Sequence, residues 1–406
     1  MGRSLGLSAY LALAARSGGG AYHPQGIRGP GPLVWGHAAN VSEARALVRL
    51  FERLGQTRGD LAFVLTHEDD VTLSTDLPPT CSTSPVPPES RDAIDRFLDH
   101  WRPDLCIWTR GHLRPGLIDA ASRRGMAMYL ANAHEDAFEF RRLRWLPDLV
   151  RRTLEAFDMV FVRDAAARNR LLRLGVPHEA ISVSGPLQEG SAALPCDEET
   201  HEDLTGAFQG RPVWLAAHVQ PDEVPVITEA HRAALSLAHR LLLVIVPDDP
   251  THEPGFAAAL DDEGWRVARW SRGDRPVETT QVLLADSAEQ MGLWYRAAPV
   301  TLMASSLMPG AGGRDPYAPA ALGSAVLYGP NVSRYMGAYS RLAAAGAARI
   351  VKDAPTLQAA VIRLTAPDRA AQMAHAAWEV ISDGAEATDS LLALVEDTLD
   401  LLEAGI

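Results

Sequence analysis

One acidic residue, Glu43, lies at the junction between a predicted strand and the predicted helix that follows it. Glu43 lies in the first turn of the predicted helix Val41–Leu54, just after the predicted strand Gly31–Gly36. A carboxylate at such a place could act as a general base and take a proton from a hydroxyl group. An acidic residue in a first helical turn is also favoured by the helix dipole alone. Position alone therefore leaves both interpretations of Glu43 open.

Three further polar residues follow the predicted strand Asp104–Thr109. Arg110, His112 and Arg114 alternate there with other residues, which places them on one side of an extended segment. Two arginines and a histidine on one side could form a pocket for an anion. A solvated loop explains the same pattern equally well.

A pair of glycines marks another candidate, in the sequence AGGRDP at residues 311–316. This segment follows the predicted strand Val300–Met303 and precedes the predicted helix Ala318–Leu322. Glycines allow a ligand to approach the backbone closely, and a helix N-terminus offers free N–H groups to a phosphate. Ser287, at the start of another predicted helix, is a similar candidate. The pattern is compatible with a nucleotide or a sugar nucleotide as ligand.

Metal chemistry and the common nucleotide motifs are not indicated. His218, Asp222 and Glu223 follow one predicted strand, but no second cluster completes a metal site. The three cysteines are scattered without CxxC spacing, which argues against a zinc site and suits a reduced compartment. The sequence contains no GxSxG, Walker or GxGxxG motif. We therefore expect neither a metal nor a tightly bound cofactor.

The elements that must position these residues alternate between short apolar runs and longer amphipathic ones. This order predicts an α/β fold with parallel, doubly wound sheets, once in each half of the chain. Five strands are predicted in each half: Gly31–Gly36, Leu61–Thr66, Asp104–Thr109, Met126–Ala131 and Met159–Val162, then Val213–Ala217, Leu241–Val246, Val282–Leu284, Val300–Met303 and Ala325–Tyr328.

The predicted domains are residues 1–187 and residues 211–406, the second of which includes the C-terminal helices. Residues 188–210 lack an apolar period and are predicted to be a linker. Two such domains facing each other would form a cleft at the carboxyl ends of their strands, where α/β folds bind ligands.

Composition narrows the class of protein. The chain has 406 residues with 47% hydrophobic and 22% charged, which is typical of globular domains and excludes a disordered chain. Residues 1–190 hold 23 arginines against 22 acidic groups, a net of +1, whereas residues 191–406 hold 15 basic and 29 acidic groups, a net of −14. No large basic surface is indicated, so nucleic acid is not an expected partner.

Two segments bear on membranes. The longest apolar run, Leu5–Ala15, is about half a bilayer span and has no convincing cleavage site, which predicts neither a membrane helix nor export. Residues 138–152 interleave five arginines with aromatic and aliphatic residues. Such a segment could rest on an anionic membrane surface, although a solvated amphipathic helix has the same pattern.

The order of these segments resembles the 3-deoxy-D-manno-octulosonic acid (Kdo) transferases of lipopolysaccharide synthesis, which have the GT-B fold. The stretch WGHAANVSEARALVRLFERL, residues 35–54, is similar to the family segment that ends in Ser-x-Gly-Glu and enters the first long helix. Residues 103–133 are similar in length and hydrophobic pattern to the family's strand, turn, helix and Asn-Ala strand end. RPVWLAAH, LLLVIVPDDP and GGRDPYAPAALGSAVLYGP follow in family order.

The resemblance implies a metal-independent, inverting transfer of Kdo from CMP-Kdo to a hydroxyl of a lipid A precursor of the lipid IVA type. It implies that Glu43 is the general base and that Arg110 and His112 stand where the family has two turn glutamates. Apart from the acceptor, the resemblance implies one small molecule, the donor substrate CMP-Kdo, and no cofactor. The family also implies a peripheral place on the cytoplasmic face of the inner membrane, with other lipopolysaccharide enzymes as possible partners.

The donor side departs from the family. Asp248 replaces an arginine that meets the nucleotide, so we expect it to repel a phosphate unless Arg314, which replaces a histidine, compensates. A family lysine becomes Gln188. The candidate nucleotide-binding residues are Pro247, Asp248, Ser287, Glu289, Gln290, Met291, Gly313, Arg314, Asp315 and Pro316. These departures leave two alternatives: a related transferase with another sugar-nucleotide donor, or an inactive paralogue that acts as a binding partner.

Overall fold

The chain folds into two compact units in the computed structural model, which describes residues 22–68, 77–110, 113–134, 147–187, 194–285 and 290–404, together with Tyr10. Unit 1 consists of Met1–Glu189 and Asp383–Ile406, and unit 2 consists of Gly190–Ser382. This division differs from the predicted domains in two respects. Residues 190–210 of the predicted linker belong to unit 2, and the last part of the chain, from Asp383, belongs to unit 1 and not to the second domain.

Unit 1 is built on a parallel sheet. Among the described residues it has seven strands in the order β3-β2-β1-β4-β5-β6-β7. The chain reverses its direction of progress across the sheet between β1 and β4, which is the switch point where α/β folds bind ligands. The strands are β1 Leu33–Ala38, β2 Ala62–His67, β3 Cys81–Pro85, β4 Leu105–Thr109, β5 Ala127–Ala133, β6 Met159–Val162 and β7 Ile181–Val183.

Five helices connect these strands in the described part of unit 1. They are α1 Val41–Thr57, α2 Arg91–Trp101, α3 Pro115–Arg123, α4 Pro147–Leu154 and α5 Ala165–Arg173. Apolar residues of β1 pack on both faces of the sheet, with Trp35 in one core cluster and Val34 in the other. A strand covered on both faces must be apolar throughout, which is why β1 is recognisable in the sequence as a continuous apolar run.

Unit 2 repeats the arrangement. Its described residues form a second sheet of seven parallel strands in the order β10-β11-β9-β8-β12-β13-β14, with the switch point between β8 and β12. The strands are β8 Val213–Val219, β9 Leu242–Pro247, β10 Val267–Arg269, β11 Val282–Leu284, β12 Val300–Met303, β13 Ala325–Tyr328 and β14 Ala348–Ile350. The helices are α6 Glu198–Phe208, α7 Val224–Leu235, α8 Glu253–Asp262, α9 Met291–Ala297, α10 Tyr317–Ala321, α11 Met336–Ala344 and α12 Ala354–Leu364.

The predicted strands are the central ones. All ten are confirmed, but β3, β7, β10 and β14 are absent from the prediction, and these four are the edge strands of the two sheets. β7, β10 and β14 have only three residues each, and β3 is mostly half-buried rather than buried. Edge strands lack a fully covered apolar run, so the pattern that predicts buried strands does not detect them.

Residues 188–210, predicted to be a linker, contain helix α6. The side chain of Asp197 caps this helix by accepting a hydrogen bond of 2.8 Å from the N–H of Thr200. Leu204 and Phe208 lie four residues apart and are 0% and 4% exposed in the core of unit 2. Only these two large apolar residues mark the buried side of α6, which explains why no period is visible in the sequence.

The last helix, α13 Pro367–Ala404, contributes to both units. Ala377 packs in a core cluster of unit 2, whereas Leu391, Val395 and Leu399 pack in a core cluster of unit 1. These three residues are spaced by four, so they form one apolar stripe on the helix. No helix in the described ranges combines the length and the apolar character that crossing a bilayer requires.

Candidate functional site

Glu43 lies at the carboxyl edge of the sheet of unit 1, beside the switch point. Helix α1 begins there because the side chain of Asn40 accepts a hydrogen bond of 3.0 Å from the N–H of Glu43. The Glu43 carboxylate is buried, and the Asn132 Nδ2 donates a hydrogen bond of 2.6 Å to its Oε1. Asn132 lies in β5 with a φ of +52°, a conformation that asparagine tolerates better than most residues. The pair therefore fixes a sheltered carboxylate where the resemblance places the base.

A buried histidine lies near the end of β1, the strand that precedes the helix of Glu43. His37, fully buried at the end of β1, stacks on Trp108 with ring centroids 3.8 Å apart. Its Nδ1 is 3.0 Å from the Thr66 Oγ1, and its Nε2 is 3.7 Å from the Glu68 Oε1. The ring is thus held between two strands and a carboxylate. Sequence analysis missed His37 because a lone histidine in an apolar strand carries no signal of its own.

Arg114 is committed to an ion pair. Its Nε and Nη2 donate to the two carboxylate oxygens of Glu68 at 3.3 and 2.6 Å. Both side chains are about four-fifths buried. A bidentate ion pair of this kind neutralises the charges of both Arg114 and Glu68. Arg114 is therefore not an independent cation of the predicted anion pocket.

Arg110 directly follows β4, at the carboxyl edge of the sheet. Its backbone has a φ of +51°, and its N–H donates to the Ala131 carbonyl at 3.0 Å. In the described ranges, no carboxylate lies within 4.0 Å of the Arg110 guanidinium, the distance limit for an ion pair. His112, the third member of the predicted pocket, falls outside the described residues. The predicted joint action of Arg110 and His112 stays a prediction.

A half-buried carboxyl group, that of Glu89, lies near Arg114. Glu89 accepts hydrogen bonds from the N–H groups of Gly116 and Leu117 at 2.8 and 3.1 Å, and so caps helix α3. Burial raises the pKa of the Glu89 carboxyl, although these two hydrogen bonds, with one from Tyr10, act in the opposite direction. The carboxyl edge of this sheet thus holds Glu43, Glu68 and Glu89 in three different polar environments.

Two of the donor-side candidates of unit 2, Asp248 and Arg314, form an ion pair. Arg314, in the loop after β12, donates from its Nε to the Asp248 Oδ1 at 2.7 Å and from its Nη2 to the Oδ2. Burial acts to raise the pKa of Asp248, but hydrogen bonds from His218 and Arg314 and the charge of Arg314 hold it well below its usual range. Asp248 is therefore ionised and neutralised by Arg314, the residue that the sequence named as able to compensate its charge.

Two other side chains surround this pair. The His218 Nδ1 lies 3.5 Å from the Asp248 Oδ1, and its Nε2 lies 3.2 Å from the hydroxyl of Tyr295 in α9. The Gln220 Nε2 donates to the Asp248 Oδ2 and to the Ser305 Oγ, each at 2.9 Å. The cluster thus joins the ends of β8, β9 and β12, on both sides of the switch point.

The carboxylate of Glu223 holds the backbone segments that carry this cluster. Its carboxylate, 0% exposed, accepts four backbone hydrogen bonds of 2.7–3.0 Å, from Gln220, Ser305, Ser306 and Leu307. These bonds fix the turn after β12 to the segment after β8. From the sequence, Glu223 was a candidate only for a metal ligand. The sequence signal of Glu223 was a carboxylate a few residues after a buried strand.

Gly312 and Gly313 are required by the conformation of the loop after β12. Gly313 has a φ of +86°, and its N–H donates to the Ser305 carbonyl at 2.9 Å. A Cβ at Gly312 would approach the Arg334 side chain to 2.9 Å. The chain's own packing therefore requires both glycines. Asp315 Oδ1 accepts from the N–H of Tyr317 at 2.9 Å, so one N–H that the sequence offered to a phosphate is already bonded.

The remaining candidates are placed in part. Pro247 ends β9, Pro316 precedes the five-residue helix α10, and Met291 begins α9. The Oε1 of Gln290 accepts a hydrogen bond of 2.8 Å from the Trp270 indole. Ser287, Glu289 and Gln188 lie outside the described residues. In the described part of the chain, no group of three His, Cys, Asp or Glu side chains could hold a metal ion.

The basic and apolar segment at residues 138–152 is described only from Pro147. There it forms the start of α4, where Leu149 is 1% exposed and Val150 is 8% exposed. Both are therefore buried in unit 1. Arg151 forms an ion pair of 2.8 Å with Glu155 on the same helix. Leu149 and Val150 thus pack within the protein. Residues 138–146 fall outside the described ranges, so contact of this segment with a membrane surface stays a prediction.

Two doubly wound parallel sheets, each with polar groups gathered at its switch point, define a protein of the GT-B class. Residues 13–189 match the family model "3-Deoxy-D-manno-octulosonic-acid transferase (kdotransferase)". This match and the relatives described next, at modest identity, fit a divergent member of the Kdo transferase family.

The relatives are similar over most of their length. The probable mitochondrial 3-deoxy-D-manno-octulosonic acid transferase of Arabidopsis thaliana is 28% identical over 324 residues, covering 77% of this chain and 72% of its own. The 3-deoxy-D-manno-octulosonic acid transferase of Haemophilus influenzae is 27% identical over 378 residues, covering 90% and 86%. Among solved structures, the C-terminal CMP-Kdo binding domain of WaaA from Acinetobacter baumannii is 23% identical, covering 45% of this chain and 96% of its own, with a TM-score of 0.43.

Proposed function

We propose that the chain transfers Kdo from CMP-Kdo to a hydroxyl group of a lipid A precursor of the lipid IVA type, with inversion and without a metal. The match to the Kdo transferase family model and the similarity to Kdo transferases support the sugar that is transferred. The single observation that carries the proposed mechanism is the buried Glu43 carboxylate, oriented by Asn132 at the switch point of unit 1. In the resemblance to the family, Glu43 is also the residue that matches the base.

The proposed reaction is a direct displacement. Glu43 takes the proton of the acceptor hydroxyl while that oxygen forms a bond to the anomeric carbon of Kdo. The bond between the anomeric carbon and the phosphate oxygen of CMP breaks, and CMP leaves with the electron pair. Asn132 restricts the Glu43 carboxylate to one orientation, which lowers the entropic cost of reaching the transition state. Arg110 and His112 are proposed to face the carboxylate of Kdo.

The nucleotide is proposed to lie at the carboxyl edge of the sheet of unit 2, against Pro247, Gln290, Met291 and the segment Gly313–Pro316. Pro247 ends β9, and the segment Gly313–Pro316 lies in the loop after β12. Loops at the carboxyl ends of strands are where nucleotides bind in doubly wound folds. Because the acceptor is a lipid, the proposed place of work is the cytoplasmic face of the inner membrane, with the protein bound peripherally. Association with other lipopolysaccharide enzymes belongs to the same proposal.

A second candidate function is transfer from another sugar nucleotide. The observation in its favour is the closed pair of Asp248 and Arg314, which uses the arginine's hydrogen bonds within the protein. A donor whose phosphates bind elsewhere, or a more highly charged donor that displaces Asp248, would suit this arrangement. Thermal shifts measured across a panel of sugar nucleotides distinguish the two functions. CMP-Kdo should give the largest shift if the first function is correct.

The mechanism is tested by release of CMP from CMP-Kdo in the presence of a lipid A precursor. Glu43→Gln should reduce turnover by about 10²–10⁴-fold, the usual range for loss of a general base, while its affinity for CMP stays that of the wild type. Glu52→Gln, on the same helix but half-exposed, is the matched control and should keep full activity. Equal turnover in Glu43→Gln and wild type would exclude this mechanism.

A further inference from the structure

Unit 2 contains a cavity that none of the candidate site residues touches. It has a volume of about 450 Å³ and lies beside β14, at an edge of the second sheet. The end of α11, strand β14, one face of α12 and the first turns of α13 line it. Three of its lining residues are arginines from three different elements, Arg349, Arg363 and Arg369, and none is acidic.

This concentration of positive charge runs against the charge of the rest of the unit. Residues 191–406 hold only 15 basic groups against 29 acidic ones, yet three of the 15 line one cavity. In the described ranges, no carboxylate lies within 4.0 Å of Arg349 or Arg363, and Arg369 has only its neighbour Asp368, at 3.8 Å. Like charges brought together without acidic partners repel each other unless an anion joins them.

Helix dipoles do not account for all three arginines. Arg363 lies in the last turn of α12, where a cation is favoured. Arg369 lies in the first turn of α13, where the dipole disfavours a cation. Arg349 lies on β14, outside any helix. All three side chains are exposed, so their guanidinium groups are accessible to a ligand from solvent.

Apart from Gln372, the rest of the lining is apolar. Ala360 and Leu364 of α12 are 2% and 4% exposed, and the half-buried Met373 of α13 joins them. We propose that this cavity binds a phosphate-bearing ligand, with the phosphate on Arg349, Arg363 and Arg369 and a small apolar part on Ala360 and Leu364. Guanidinium groups match phosphate oxygens two at a time, which makes phosphate the fitting anion. A soluble phosphate ester and an anionic phospholipid headgroup share this chemistry.

Calorimetry with the full chain tests the site, with inorganic phosphate and phenyl phosphate as probes. Phenyl phosphate should bind more tightly than phosphate, because its ring covers the apolar part of the cavity. Arg349→Gln and Arg363→Gln should each weaken binding about tenfold, as expected when a charged hydrogen bond is lost. Gln372→Glu, which introduces a carboxylate into the lining, should weaken it as well. Arg272→Gln, an exposed arginine of unit 2 outside the cavity, is the control.

Vesicles of phosphatidylcholine with and without phosphatidylglycerol separate the two sources of phosphate. Binding that requires phosphatidylglycerol and is lost in the Arg349 and Arg363 variants assigns the phosphate to a lipid. Binding of phenyl phosphate without such vesicle binding assigns it to a soluble ester. The proposal is overturned if neither probe binds, or if the three cavity variants bind as the wild type does. Because the readout is binding and not Kdo transfer, its outcome is independent of the proposed function.

Discussion

Arg314 and Asp248 form a two-pronged ion pair between loops that lie 66 residues apart in the chain. The pair stands at the switch point of unit 2, in the place where the family resemblance puts an arginine and a histidine. Asp248 has 15% of its side chain exposed and Arg314 has 31%, so the charges are partly withdrawn from water. The position therefore contributes an almost neutral pair where the sequence alone indicates a negative charge.

Asp248→Asn should strengthen CMP binding. Removing the carboxylate frees the hydrogen bonds and charge of Arg314 for the nucleotide phosphate, and one charged hydrogen bond is worth about tenfold in affinity. Titration calorimetry with CMP measures the change. Asp249→Asn, on the neighbouring exposed residue, should leave the affinity unchanged. Weaker or equal CMP binding in Asp248→Asn would mean that Arg314 does not face the nucleotide.

Asn132→Ala should affect catalysis more than donor binding. Its Nδ2 donates to Glu43 at 2.6 Å, which favours the ionised carboxylate. Without that bond, we expect the acid limb of the pH–rate profile to move to higher pH and kcat to fall about tenfold or more, with KM for CMP-Kdo nearly unchanged. Asn132→Asp, which places a second carboxylate beside Glu43, should move this limb further to high pH than Asn132→Ala does. An unchanged profile in both variants would assign Asn132 a purely structural role.

Glu223→Gln should destabilise unit 2. Each carboxylate oxygen accepts two backbone N–H groups, so an amide nitrogen in place of one oxygen leaves two buried donors without an acceptor. The expected loss is on the order of 3 kcal/mol in the free energy of unfolding. Urea unfolding measures it. Asp222→Asn, on the exposed neighbour, is the control and should change stability by less than about 0.5 kcal/mol.

Stability should fall between pH 6.5 and pH 4 because of His231. Its Nδ1 accepts from the Trp214 indole at 3.2 Å, and burial lowers the pKa of His231 from 6.5 to about 4. In this window the unfolded chain binds a proton that the folded chain does not, so stability rises with pH and is complete above pH 6.5. The loss by pH 4 is on the order of 3 kcal/mol.

Urea unfolding at several pH values checks the role of His231. His231→Gln should flatten the pH dependence in this window, whatever its effect on stability at pH 7. His375→Gln, on a histidine with 70% of its side chain exposed, should retain the wild-type slope. A slope that survives in His231→Gln would show that other groups cause it.

The amino-acid sequence by itself determined the central part of each sheet. Strands covered on both faces, such as β1 and β9, must be apolar throughout, and that property is visible in the order of residues. The sequence also placed Glu43 correctly in the first turn of α1, because a helix start after a buried strand has a local signature.

Only the tertiary structure decided the partners of these residues. Glu43 meets Asn132 across 89 residues and Asp248 meets Arg314 across 66, and neither separation has a period that a sequence pattern could reveal. The order of strands in the sheets brings these side chains together. The division of α13 between the units has the same origin, since its apolar stripe does not state which core will cover it. Local order fixes where an element forms, whereas charge pairing and burial depend on which elements become neighbours.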